Sequence, residues 1–198
     1  MADVVPGNLP NPDLITGKGT ILKAALAYVQ TLPGPDPVKR LTEAVDDDTR
    51  KMLSGMVLAS TRYPLRRLVN VFETADRIFG RGDLALCWEM GRFGADFEVK
   101  MLHKLFLQAG TLDYWLRIAG STWRLYYNAG KLTAKTEREH GTVRLTEFNP
   151  ISKAFCYRFG GWVRGVVELS KGRNVTLRHT DCLLDGKPAC VWEGTWSR

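Results

Sequence analysis

The chain has 198 residues, 44% of them hydrophobic and 25% charged, with a net charge of +7. That length and apolar content suit one domain with a proper core, and no run of about 18 apolar residues is present, so no membrane span is expected. The basic residues are scattered and no nucleic-acid-binding signature accompanies them; they read as solvated surface, and no nucleic-acid partner is expected.

The first nineteen residues carry Pro6, Pro10 and Pro12, interleaved with Gly7, Asn8 and Asn11 and followed by Gly17 and Gly19, a punctuation that reads as a flexible arm. Gly17-Lys18-Gly19-Thr20 lacks the full phosphate-loop pattern and no strand precedes it, so Thr20 reads as a helix N-cap. Residues 20–31 and 37–44 have helical apolar spacing, with prolines at 33, 35 and 37 between them. Asp46-Asp47-Asp48 opens a short helix to about residue 59, the acidic triplet complementing the helix dipole rather than holding a metal. Pro64 starts a helix that runs to Phe79 and stops at Gly80.

Residues 84–106 form the most apolar helical stretch, with Gly91 and Gly94 permitting a close approach or a kink. Glu89, Asp96 and Glu98 in it read as a partly solvated face, and Cys87 as core. Residues 111–129 form an aromatic helix bearing Tyr114, Trp115, Trp123, Tyr126 and Tyr127, ended by Gly130. These two helices either line an apolar ligand pocket or fill an ordinary core.

After Gly130 the period changes to two. Residues 132–138 and 143–148 alternate as a hairpin, with a turn at His140-Gly141. Residues 152–170 return to helical spacing, and Gly160, Gly161 and Gly165 inside them would allow tight packing on a sheet. Residues 174–180 and 189–196 read as the last two strands, with Asp185-Gly186 at the turn.

This layout gathers Cys156, His179, Cys182 and Cys190 at the C-terminal end. Three thiolates and an imidazole satisfy the tetrahedral preference of zinc and leave no open position, which makes the expected metal structural rather than catalytic. Two other readings stand beside it: buried cysteines acting as small hydrophobes, and a Cys182–Cys190 disulfide. The N-terminus has no apolar segment with a basic flank, so a cytoplasmic, reducing compartment is expected, where clustered cysteines more often bind metal. No hydrolase, metalloprotease or dinucleotide-binding motif occurs, and no enzyme activity is expected.

Cys156-Tyr-Arg-Phe-Gly-Gly-Trp-Val-Arg-Gly-Val-Val-Glu-Leu, Leu177-Arg-His-Thr-Asp-Cys and Gly186-Lys-Pro-Ala-Cys190-Val-Trp resemble parts of a 4-vinyl-reductase (V4R) domain. Those domains are similar in fold to vesicle-tethering TRAPP subunits and to haem nitric-oxide sensors, and occur in phenol-responsive transcription activators. The resemblance implies zinc ligands at Cys156, Cys182 and Cys190, with His179 where the family has a glutamate. It implies a ligand pocket to which a histidine and a tryptophan contribute, for which His103 and Trp123 are the candidates. The Tyr-x-Ser-x-Arg motif of the haem sensors is absent. The upstream half resembles an uncharacterised myxobacterial paralogous family.

The expectation is therefore an α+β domain over residues 20–198, with a helical part at 20–130 and a sheet and zinc part at 131–198. An N-terminal helical layer packs on a small antiparallel sheet, and zinc ties the C-terminal hairpin. Its expected role is a non-enzymatic sensor or adaptor, binding a small apolar ligand and signalling through a protein partner or a homodimer. The alternative is a TRAPP-like interaction and dimerisation module without a ligand.

Overall fold

The computed structural model describes residues 9–102 and 119–197. Among them are seven helices and two antiparallel sheets, a mixed α+β architecture. The helices are α1 (Gly19–Gln30), α2 (Pro37–Ala44), α3 (Asp47–Ser54), α4 (Leu65–Phe79), α5 (Ala85–Leu102), α6 (Ala119–Tyr126) and α7 (Lys153–Leu169). The strands are β1 (Thr16–Lys18), β2 (Arg62–Pro64), β3 (Lys131–Glu137), β4 (His140–Thr146), β5 (Arg173–Asp181) and β6 (Cys190–Ser197).

Part of the expected arm belongs to the fold. Ile15 is buried, β1 pairs with β2, and the Asn128 carboxamide accepts a 2.7 Å bond from the Thr16 amide. Thr20 is not the cap of α1. The helix begins one residue earlier, because the Gly19 amide is taken by the Thr61 carbonyl at 2.7 Å. Thr20 is buried instead, and its hydroxyl has no partner. At α3 the capping reading of the acidic triplet holds: Asp46 accepts from the Thr49 amide at 2.7 Å, satisfying one of the free N–H groups of the first turn.

The strands β3, β4, β6 and β5 lie side by side in that order, all antiparallel. His140 and Gly141 are paired residues of β4, opposite Glu137 and Thr136, so the hairpin turn sits just before them rather than on them. Leu132, Val143, Leu145 and Trp192 point from this sheet into the core.

Helix α7 meets α5 at unusually short range. A Cβ on Gly91 would lie 1.8 Å from the Arg158 carbonyl oxygen, and one on Gly161 would lie 1.9 Å from that of Trp88. Gly165 faces Ala95 and the Arg92 backbone in the same seam. The α7 glycines thus serve a helix–helix contact more than a helix–sheet contact, since only backbones without side chains come this close. Gly160 does both: its open face meets Trp88 of α5 and Trp192 of β6.

Candidate functional site

Two features stand out around α7, a side-chain cluster at its start and a cavity along its middle.

The cluster joins three elements. Ser152 caps α7, accepting from the Ala154 amide at 3.1 Å, and so places Cys156 on the first full turn. β5 carries His179 two residues before its end, and Cys182 follows the strand directly. β6 begins at Cys190. The ligand atoms of all four residues lie within 4.8 Å of one another. The three sulfurs form a triangle with every edge 3.8 Å. That is far longer than a disulfide bond of about 2.05 Å, and the three cysteines are free, so the disulfide alternative is not realised.

The cluster is polarised. Hydrogen bonds to Cys156 and then Cys190 pull the Cys182 thiol far below its usual range, while the bonds to Cys182 and Cys190 push Cys156 well above it. The Leu183 amide points at the Cys190 sulfur from 3.4 Å. The His179 ring stacks on Trp192 at 4.8 Å between centroids, and its buried Nε2 has no hydrogen-bond partner. The Trp192 indole in turn donates to the Cys156 carbonyl at 3.2 Å, which fixes strand β6 against the start of α7.

The cavity has a volume of about 70 Å³ and lies between α5, α6, α7 and the sheet. Its wall is mostly apolar and aromatic: Trp123, Tyr126, Tyr127, Phe159, Trp162 and Val163. Trp123 is packed edge-on against Phe148, Phe155 and Phe159 and stacked on Tyr127 at 4.3 Å, and its indole donates to the Ala129 carbonyl. Burial, and after it the Glu98 charge, raises the Tyr126 phenol; burial does the same at Tyr127, against the pull of Arg158. Both phenols therefore stay neutral at physiological pH.

One wall of the cavity is ionic. Glu98 of α5 is buried, not partly solvated, and Arg158 of α7 is buried too, not a surface cation. Their side chains meet at 2.5 Å, and the Trp162 indole donates to the other carboxylate oxygen at 3.1 Å. Arg158 also sits over the Phe72 ring at 5.3 Å. Burial pushes the Glu98 carboxyl above its usual range, with Arg158 and Trp162 holding it back. The expected solvated face failed here because an i, i+3, i+4 pattern does not reveal a charged partner sixty residues away. The only signal available was the pair of glycines, Gly91 and Gly161, that bring the two backbones together.

Of the ligand-binding candidates, Trp123, Tyr126 and Tyr127 line the cavity, whereas His103, Tyr114 and Trp115 lie outside the described residues. Cys87 is core, as expected: burial, with Asp76 and Glu73 nearby, pushes its thiol to about 12.

No family model matches the chain, and no curated protein matches it either. Solved structures do. An H-NOX protein from S. oneidensis in the Fe(II)NO ligation state superposes with a TM-score of 0.69 at 13% identity, over 91% of this chain and 99% of that one. An oxygen-binding H-NOX domain related to soluble guanylate cyclases superposes at 0.61 and 14% identity, over 91% and 95%. A structure described for the function of haem distortion in the H-NOX family gives 0.62 and 14%, over 91% and 95%. The expected likeness to haem nitric-oxide sensors is thus present as a likeness of fold. The same comparisons overturn zinc as the expected cofactor: these relatives in fold are described with haem, iron and their ligands, not with zinc. The donor cluster was legible in the sequence as a spacing, but spacing identifies side chains and not the group that a fold carries. The chain has the fold of the H-NOX proteins at an identity where only the fold is shared.

Proposed function

We propose that this chain is a non-enzymatic sensor domain of V4R-like type, which binds a small apolar ligand in the cavity beside α7 and signals through a protein partner or a second copy. The observation that carries this is the cavity itself, an apolar space left open inside an otherwise close-packed core. Its place also supports the reading: it borders α7, whose two ends touch α5 and the thiol cluster, so a ligand that shifts α7 shifts both. No nucleic-acid contact is part of the proposal, and no described helix is long and apolar enough to cross a membrane.

Haem, the group named for the proteins of similar fold, does not fit the described part of the cavity. About 70 Å³ falls well short of the roughly 300 Å³ or more of a cofactor-sized pocket. Neither described histidine lines it, since His140 is exposed at the start of β4 and His179 is in the thiol cluster, and no described cysteine lines it. The proposal therefore routes nothing through haem.

The expected result with ¹⁵N-tryptophan-labelled protein is that 2-methylpropene produces saturable shifts of the Trp123 and Trp162 indole signals, assigned by Trp→Phe variants. If no indole moves, the core is closed, and the interaction-module alternative replaces the sensor.

The four clustered residues enter the proposal as a site for a thiophilic metal ion. Their ligand atoms lie within 4.8 Å of one another, close enough to share one ion, and thiolates favour a soft one. Elemental analysis of the purified chain is expected to find a stoichiometric metal that Cys182→Ser loses, with a lower melting temperature. A metal-free protein of unchanged stability would reduce the cluster to packed thiols.

A further inference from the structure

We propose that the ligand of the cavity is a small neutral molecule with one hydrogen-bond-accepting oxygen, such as a ketone or aldehyde, received by the Nε–H of Arg158. This rests on the sensor reading above and narrows the class of molecule that the cavity takes.

Arg158 lines the cavity and is only 3% exposed. One terminal nitrogen is spent on Glu98, but the buried Nε–H meets no acceptor. A buried guanidinium donor without a partner is rare and calls for a complement. The other polar groups on the wall are the Glu98 carboxylate, the Thr122 hydroxyl and the Tyr126 and Tyr127 phenols; Tyr127 lies beside the guanidinium, but none of them takes the Nε–H, so its complement comes from what fills the space.

The charge of the site decides what kind of acceptor fits. Among the described residues, Glu98 and Arg158 are the only charged groups on the wall, and they cancel. An incoming carboxylate would be a second buried negative charge beside Glu98, with no cation left to balance it. A hydrocarbon would leave the donor unmet. A neutral carbonyl satisfies the donor without adding charge, and its alkyl part meets the Trp123, Phe159 and Val163 surfaces. The volume sets the size. About 70 Å³ is roughly half of a dry cavity that holds benzene, which corresponds to a ligand of about three or four non-hydrogen atoms.

Three molecules of one shape separate these cases: acetone, 2-methylpropene and acetate. The readouts are the Trp123 and Trp162 indole signals and the Arg158 Nε–H signal, the latter assigned by its loss in a Glu98→Gln/Arg158→Met double variant. Acetone is expected to move the indoles and to shift the Arg158 Nε–H downfield. 2-Methylpropene should move the indoles alone, and acetate neither. In the double variant, which keeps the cavity without charge, acetone should bind at least about tenfold more weakly while 2-methylpropene is unchanged. If 2-methylpropene binds but acetone leaves the Nε–H unmoved, a resident water serves that donor and the proposal falls, while the sensor reading stands. Acetate binding more tightly than acetone overturns it as well. If neither acetone nor 2-methylpropene moves an indole, the sensor reading fails and takes the proposal with it.

Discussion

Replacing Gly161 with alanine is expected to destabilise the protein by about 3 kcal/mol or more, at the upper end of overpacking costs. For a chain of this length that lowers the melting temperature by roughly 6–12 °C. The added methyl would lie 1.9 Å from the Trp88 carbonyl oxygen, and a backbone atom cannot rotate away as a side chain can. Gly91→Ala should behave alike, because its methyl would meet the Arg158 carbonyl at 1.8 Å. The sign is the informative part. Alanine is favoured over glycine inside a helix by about 1 kcal/mol, so an exposed site would be stabilised. Gly55 is the control: its φ is −90°, and a Cβ there would have its nearest neighbour at 3.7 Å. Gly55→Ala should change stability by less than about 0.5 kcal/mol. Thermal melts of the three variants check this, and a neutral Gly161→Ala would mean that α5 and α7 are not in backbone contact.

The second large effect concerns the Glu98–Arg158 pair. Arg158→Met is expected to cost about 3–5 kcal/mol at neutral pH, because it strands a buried carboxylate. Adding Glu98→Gln should return most of that loss, since an uncharged, well-packed pair is often as stable as a buried ion pair. The single variant should also depend on pH. Glu98 already has its carboxyl raised above the ordinary 4.5 by burial, and removing Arg158 removes the main opposing force. A carboxyl whose folded pKa lies above its unfolded one stabilises the fold fully below the unfolded value. That contribution is lost as pH rises through the folded value. The gap between Arg158→Met and the unmodified chain should therefore be small near pH 4 and widen toward pH 7. Denaturant titrations at both pH values test it. A gap that widens toward low pH would contradict a buried Glu98.

The pair and the glycines act together. Gly91 and Gly161 let the two helix backbones approach, and the approach puts Arg158 within reach of Glu98. The indole of Trp162 closes the carboxylate's remaining oxygen. What stays open is the Nε–H of the guanidinium, in a side chain that lines the cavity. Packing that brings backbones this close leaves large aromatic side chains to fill the flanks, and rigid rings do not fill an irregular space completely.

By itself the sequence determined most local elements and the grouping of the Cys/His cluster. Period 3.6 before Gly130 and again over 152–170, and period 2 in the segments between and after, placed the helices and the four-stranded sheet, because alternation of apolar residues follows directly from which face is buried, whereas the short β1 and β2 carried no such signal. Asp46 was recognisable as a cap because its carboxylate acts within one turn. Cys156, His179, Cys182 and Cys190 could be grouped because three of them fall on one hairpin, to which the last helix brings the fourth. Tertiary structure alone decided the rest. Whether Glu98 and Arg158 were surface charges or a buried pair depended on a partner sixty residues away, and no local spacing encodes that. Whether the aromatic residues made a pocket or a filled core depended on volumes summed over three helices and a sheet. The start of α1 shifted from Thr20 to Gly19 because the Thr61 carbonyl, supplied by the β1–β2 pairing, competed for the amide. Local chemistry can be read along a chain, whereas desolvation, cavity volume and long-range pairing exist only once distant segments share the same space.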